Sequence, residues 1–126
     1  MIGGGDTYRE DLFYFAGYPG WMRSYNVLMV DLPGQGSNPG RGLTFDVNAS
    51  IPISQCIDWL EGRNPQLNHL AIYGVSGGGY FTAQAVEDDT RIHAWIASTP
   101  IYDVSEIFRK EFGAGLKTPS WLMNVL

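Results

Sequence analysis

Three short apolar runs stand out along the chain: Asn26 to Asp31 (NVLMVD), Leu70 to Tyr73 (LAIY) and Ile92 to Ala97 (IHAWIA). Each is continuous rather than alternating and gives way to turn-forming residues, the pattern of a strand buried on both faces. Three such strands predict a parallel sheet. Helical periods lie between them. Ile53, Ile57 and Leu60 recur at i, i+4 and i+7 behind Ser50 and Pro52, good helix-start residues, and predict a helix over about 51–61. Gly77 to Val86 follows the second strand directly as another helix, with Phe81 and Ala85 on one face. Tyr8 to Ala16 reads as an earlier helix and Val104 to Phe112 as a last one. Such alternation implies βαβ units with right-handed crossovers, and so an α/β fold whose mostly parallel sheet has helices on both faces.

Composition narrows the function classes. The 126 residues suit one domain, residues 1–126, with no repeat or linker dividing it. A hydrophobic content of 44% excludes disorder. Eight basic against thirteen acidic residues give a net charge of −5 with no Lys or Arg cluster, which excludes nucleic acid as a partner. Every apolar run falls well short of the ~20 residues that cross a bilayer, so no membrane partner is expected. Met1 to Gly5 lacks the charged and apolar regions of a secretion signal, which makes a cytoplasmic location the expectation. A single cysteine, Cys56, rules out an intramolecular disulfide and a cysteine-rich metal centre; it falls in a helical pattern as core filler. Trp21, Trp59, Trp95 and Trp121 are expected in the core, with a pocket lining as the alternative. No cofactor or metal is implied.

The sixteen glycines are informative through their positions. Gly74-Val75-Ser76-Gly77-Gly78 matches G-x-S-x-G, the nucleophile elbow, and lies where an expected strand turns directly into an expected helix. The steric need is clear. A nucleophile at such a turn takes a strained backbone conformation, and residues two before and two after it must be small because strand and helix crowd there. Ser76 would then stand above the sheet at a helix N-terminus, with the Gly77 N–H as one oxyanion donor. Two other glycine-rich motifs fit less well. A P-loop needs Gly-Lys-Ser/Thr and no Lys is present; a dinucleotide turn needs a glycine where Ser76 stands. A purely structural turn is the remaining alternative. A second run, Gly3-Gly4-Gly5-Asp6, precedes the first helix, and Gly5 and Asp6 fit the loop that supplies the other oxyanion N–H; a flexible tail is the bland reading.

With these pieces the sequence resembles the α/β-hydrolase superfamily, specifically the bacterial acylaminoacyl-peptidase-like or dienelactone-hydrolase-like serine hydrolases. The matching stretches are Ile2 to Thr7 with Arg9-Glu10-Asp11, Val30 to Gly36 (VDLPGQG), Gly74 to Tyr80 (GVSGGGY) and Ser98 to Asp103 (STPIYD), in the family's order over nearly the whole chain. The resemblance implies that the three apolar runs are the fourth, fifth and sixth strands. It also makes Asp31 to Gly36 a structural turn, with Asp31 as a turn cap rather than a catalytic acid.

A serine hydrolase needs a His to take the serine proton and an acid to orient that His, in the order Ser, acid, His. His69 precedes the elbow strand, about 16 Å from the elbow at 3.3 Å per residue. His93 sits equally low on the next strand. Neither is expected to reach Ser76, and both read as sheet-edge or core residues. Asp103 follows the last strand on the correct edge and is the acid candidate on this chain. The resemblance otherwise implies an acid and a His beyond Leu126 and further strands before Met1, making the segment the central, incomplete core of a larger hydrolase. The expected activity is cleavage of ester or amide (peptide-like) bonds through an acyl-enzyme at Ser76, on a small-molecule or peptide substrate. The alternative is a non-catalytic, hydrolase-like module that oligomerises through exposed sheet edges.

Overall fold

A computed structural model describes residues 1–101 together with Asp103, Glu106 and Lys110. The first helical stretch comprises α1 (Arg9–Leu12), a π-helical turn (Phe13–Gly17) and α2 (Tyr18–Trp21). Its start is fixed by two carboxylates. Asp11 Oδ2 accepts from the Tyr8 N–H at 3.0 Å, and Asp31 Oδ1 accepts from the Arg9 N–H at 2.8 Å. The helix was expected to stop at Ala16 but runs on to Trp21. Pro19, which lacks an N–H and whose ring crowds the preceding turn, lies just after the wider π turn that accommodates it.

A 3₁₀ turn (Pro39–Arg41) leads to α3 (Ser50–Arg63), whose first N–H, on Ser50, donates to Asn48 Oδ1 at 3.0 Å. Then follow β1 (Ala71–Val75), α4 (Gly77–Asp88) and β2 (Ala94–Ser98). β1 and β2 pair in parallel, Ala71 opposite Ala94 and Val75 opposite Ser98. Ile2 bridges in parallel both to Gly74 and to Val30. The Ile2 N–H donates to Tyr73 O at 2.9 Å, Val75 N–H to Ile2 O at 3.1 Å, and Val30 N–H to Met1 O at 3.1 Å. Across the sheet the order is therefore the Val30 segment, the Ile2 segment, β1, β2.

The expected strand over Asn26 to Asp31 is corrected to a single bridge at Val30. Its neighbour, the Ile2 segment, is itself only one bridged residue long, so no longer ladder can form beside it. The two other expected strands are present, shifted by one or two residues.

Ile2, Leu32, Ala49, Ile53, Ile57, Ile72 and Ala85 form the core, with Val30, Leu70 and Phe81 packed against it. α3 and α4 thus cover one face. The first helical stretch approaches the segment before Val30: a Cβ built on Gly17 would lie 2.9 Å from Met29 Sδ, and one on Gly20 would lie 3.1 Å from Val27 Cγ2. The arrangement is compatible with an α/β fold. Burial departs from expectation on β2, where Trp95 is 43% and Ile96 54% exposed. The helix expected over 104–112 lies, apart from Glu106 and Lys110, outside the described residues.

Candidate active site

β1 runs without a loop into α4, and Ser76 is the single residue between them. Its φ of 55° and ψ of −123° place a non-glycine residue in a sparsely populated region. The strain is held from both sides. The Ser76 N–H donates to Ser98 O at 2.9 Å, and Ser76 O accepts from the Gly79 N–H at 2.9 Å. Neighbouring glycines permit the bend. A Cβ on Gly74 would fall on Gly78 O and Thr82 Oγ1, and a Cβ on Gly78 would fall on Ile2 O and lie 2.5 Å from Gly3 O. Ser76 lies at the helix end, half-buried, rather than within the helix or among core side chains.

The Gly3-Gly4-Gly5 segment closes over this turn. A Cβ on Gly4 would lie 3.2 Å from Ser76 Oγ, and one on Gly77 would lie 3.6 Å from Gly5 N. Gly77 is the first residue of α4, so its N–H has no acceptor within the helix. Gly5 and Asp6 are exposed, and nothing stands within 4 Å of the position a Gly5 Cβ would take. Beneath the loop, Gln35 is fully buried. Its Nε2 donates to Gly3 O at 2.6 Å and Gly4 O at 2.9 Å, while its Oε1 accepts from the Leu32 N–H at 2.8 Å.

Topology points to the same place. From the Ile2 segment the chain first moves outward to Val30, then returns to β1 on the other side and continues to β2. The reversal falls between the Ile2 segment and β1. In open α/β sheets, ligands bind outside the carboxyl ends of the strands at such a switch point. The carboxyl ends here are Gly3 to Gly5 and Ser76.

Asp103 is exposed, and its Oδ1 accepts from the Glu106 N–H at 3.2 Å. His93 donates its N–H to Leu70 O at 2.8 Å, and its ring stands 5.6 Å from that of His69. Both histidines therefore sit at the amino ends of the strands, opposite Ser76, and both are exposed edge residues rather than core. They line a cleft of about 270 Å³ with Glu61, Leu67, Leu70, Thr90 and Arg91. Cys56 is half-buried on α3, and burial pushes its thiol up, away from thiolate chemistry. Among the described residues no group of three or more His, Cys, Asp or Glu could hold a metal ion.

The expectation of core tryptophans is corrected: Trp21 is 62%, Trp59 50% and Trp95 43% exposed. Trp59 carries the Arg63 guanidinium on its ring at 4.5 Å, and the Trp95 indole N–H donates to Thr82 Oγ1 at 3.0 Å, so both have polar partners. Trp121 lies outside the described residues.

Two contributors had no individual signal in sequence. Thr82, fully buried, donates its hydroxyl to Gly78 O at 2.7 Å and steadies the first turn of α4. Gln35 ties the glycine loop from below. Asp31, expected to cap its own turn, instead caps α1 across 22 residues of chain. Thr99, at φ 49°, is a second strained residue at the carboxyl rim.

No protein-family model matches the chain. Among curated fungal proteins it is similar to Hydrolase ffsE of Aspergillus flavipes, with 31% identity over 94% of this chain and 28% of that protein. It is also similar to Hydrolyase ccsE of Aspergillus clavatus, with 34% identity over 98% of this chain and 32% of that protein. The 20-hydroxy-prefusarin hydrolase FUS2 of Gibberella moniliformis is 33% identical over 98% of this chain and 29% of its own length. The chain thus spans about three-tenths of the length of these relatives. Over nearly all of its own length it is similar to part of proteins of which two are named hydrolase and one hydrolyase.

Proposed function

We propose that this chain carries the nucleophile and oxyanion-binding elements of a serine hydrolase of the α/β-hydrolase type, acylaminoacyl-peptidase-like or dienelactone-hydrolase-like, cleaving ester or amide bonds. The observation that carries this reading is a serine held at φ 55° where β1 meets α4, beside a glycine loop at the switch point of the sheet. The names of the relatives support the hydrolytic class.

In this reading Ser76 Oγ attacks the substrate carbonyl carbon while a general base takes its proton. The carbonyl oxygen becomes an oxyanion and accepts hydrogen bonds from the Gly77 N–H and from the Gly5 or Asp6 N–H. Collapse expels the alcohol or amine, which receives the proton, and water then releases the acid by the same two steps. His69 and His93 stand at the wrong end of the sheet to serve as the base, so the histidine comes from outside these 126 residues. Asp103 remains the on-chain candidate for its orienting acid.

A fluorophosphonate probe tests the proposal. In the protein as its gene encodes it, the probe labels Ser76 and Ser76→Ala abolishes labelling. The isolated 126-residue chain labels slowly, because an unassisted hydroxyl is a weak nucleophile. Labelling that survives Ser76→Ala overturns the reading.

A second reading draws on the exposed apolar residues of β2: a non-catalytic module whose sheet edge pairs with another chain. A stable oligomer without esterase activity in the gene-encoded protein favours it, and an active monomer excludes it.

A further inference from the structure

We infer that Gln35 is the positioning residue of the oxyanion site, setting the peptide plane between Gly4 and Gly5 and so aiming the Gly5 N–H toward Ser76. The inference rests on the serine-hydrolase reading above and adds to it the group that orients one donor.

A planar trans peptide points its C=O and the following N–H in opposite directions. Gly4 O is held from the protein interior by Gln35 Nε2 at 2.9 Å, so the Gly5 N–H faces the other way, outward. Ser76 and Gly77 lie beside this peptide: Gly5 N is the nearest atom to the position a Gly77 Cβ would take, at 3.6 Å, and a Gly4 Cβ would lie 3.2 Å from Ser76 Oγ. Such a lock is needed because glycines on both sides of the peptide let its plane rotate at little steric cost. A rotated plane would present a carbonyl oxygen to the developing oxyanion. The hydrogen-bond pattern also fixes the orientation of the Gln35 amide. The Leu32 N–H can only donate, so Oε1 faces it, leaving both Nε2 protons for Gly3 O and Gly4 O. With Gln35 fully buried, water does not compete for these bonds.

Gln35 also belongs to a turn that is anchored independently. Asn38 Nδ2 donates to Asp31 O at 3.1 Å and Leu32 O at 2.9 Å, and Asp31 in turn caps α1. The turn holds the glycine loop and the helix that follows it from one base. Gln35 is the member directed at the loop.

The test uses the protein as its gene encodes it, with p-nitrophenyl acetate as substrate and rates normalised to the Ser76 that a fluorophosphonate titrates. Gln35→Met is expected to lower kcat by about 10²-fold, comparable to losing one oxyanion donor, with KM changed by less than about threefold. Gln35→Glu places a carboxylate against two carbonyl oxygens, and only its protonated form can donate to one. Its rate relative to the unmodified protein therefore rises as pH falls from 8 to 5, a response that a packing role alone would not produce. A folded Gln35→Met with kcat within threefold of the unmodified protein overturns the inference. If that variant does not fold, the unmodified protein decides by NMR: the Gly5 amide proton shifts downfield when Ser76 is phosphonylated, and an unmoved resonance overturns the inference. Hydrolysis that persists in Ser76→Ala defeats the serine-hydrolase reading itself, whatever Gln35 does.

Discussion

Gly78 and Gly62 both lie in helices, yet a methyl group would meet opposite surroundings at the two positions. At Gly78 it would strike the backbone carbonyls of Ile2 and Gly3, which are held in the sheet and the loop and have little room to retreat. At Gly62, on α3, nothing stands within 4 Å. Gly78→Ala should therefore destabilise by about 3 kcal/mol, the upper range for overpacking, whereas Gly62→Ala should stabilise by about 0.5–1 kcal/mol through backbone entropy. Denaturant unfolding of the two variants checks both signs. Ser76 offers a related test. Its positive φ costs of order 1–3 kcal/mol that glycine would not bear, against about 0.5–1 kcal/mol of added chain entropy. Ser76→Gly is accordingly expected to unfold at higher denaturant than Ser76→Ala, although both lack the hydroxyl. The glycine positions were readable in the sequence because close approach of backbones admits only one residue type. Gln35 was not, since a lone glutamine in a turn has no spacing rule and its role arises from carbonyls more than thirty residues away.

Between elements, one charged group does most to join α3 to the turn between α4 and β2. Arg91 reaches Asp58 and Glu61 on α3 and Asp89 at the end of α4, each at 2.7 Å, and Ser54 Oγ donates to Asp89 Oδ2 at 2.9 Å. Arg91, followed by its backbone N–H and Ser54, holds the Asp89 carboxyl well below the usual carboxylate range, and burial opposes this without reversing it. The sign of the pH effect follows. A carboxyl depressed in the folded state contributes its full stability above its unfolded value, near pH 4, and loses it as pH falls through the folded value. Asp89→Asn should cost about 2 kcal/mol at pH 7, and its stability should fall less between pH 4 and 2 than that of the unmodified protein. Urea midpoints at pH 7, 4, 3 and 2 measure the difference. Arg91 stays protonated throughout, so it adds no pH dependence of its own. Helix and strand positions here were largely legible from apolar period, since α3, α4 and β1 bury part of the faces their sequences mark. Two features were not. The π turn is set by where Pro19 falls within a helix, and the reduction of the Asn26 to Asp31 run to one bridge is set by the length of its neighbour.

For the molecule as a whole, the sheet has two chemically different ends. The carboxyl end gathers Ser76, the glycine loop and the strained Thr99, whereas the amino end gathers both histidines, Arg91 and a cleft of about 270 Å³. A cleft lies at the amino end, but the chain reverses direction across the sheet between the Ile2 segment and β1, and the strand ends that open there are the carboxyl ones. Exposed β2 residues explain why whole-molecule burial was the least legible property. An apolar run in sequence records what a strand can bury, while exposure depends on what is packed against it. A covalent adduct at Ser76 decides between the two ends. Phosphonylation should slow backbone amide exchange in residues 2–9 and 74–82, because the adduct's phosphoryl oxygen would engage the N–H groups of the loop and the α4 N-terminus and suppress their local opening. Residues 64–70 and 89–93, around the histidine cleft, should exchange at the unmodified rate. Hydrogen exchange read by mass spectrometry on the gene-encoded protein resolves segments of this length. Protection centred on 64–70 and 89–93 would move the site to the amino end and remove the switch point as its physical basis.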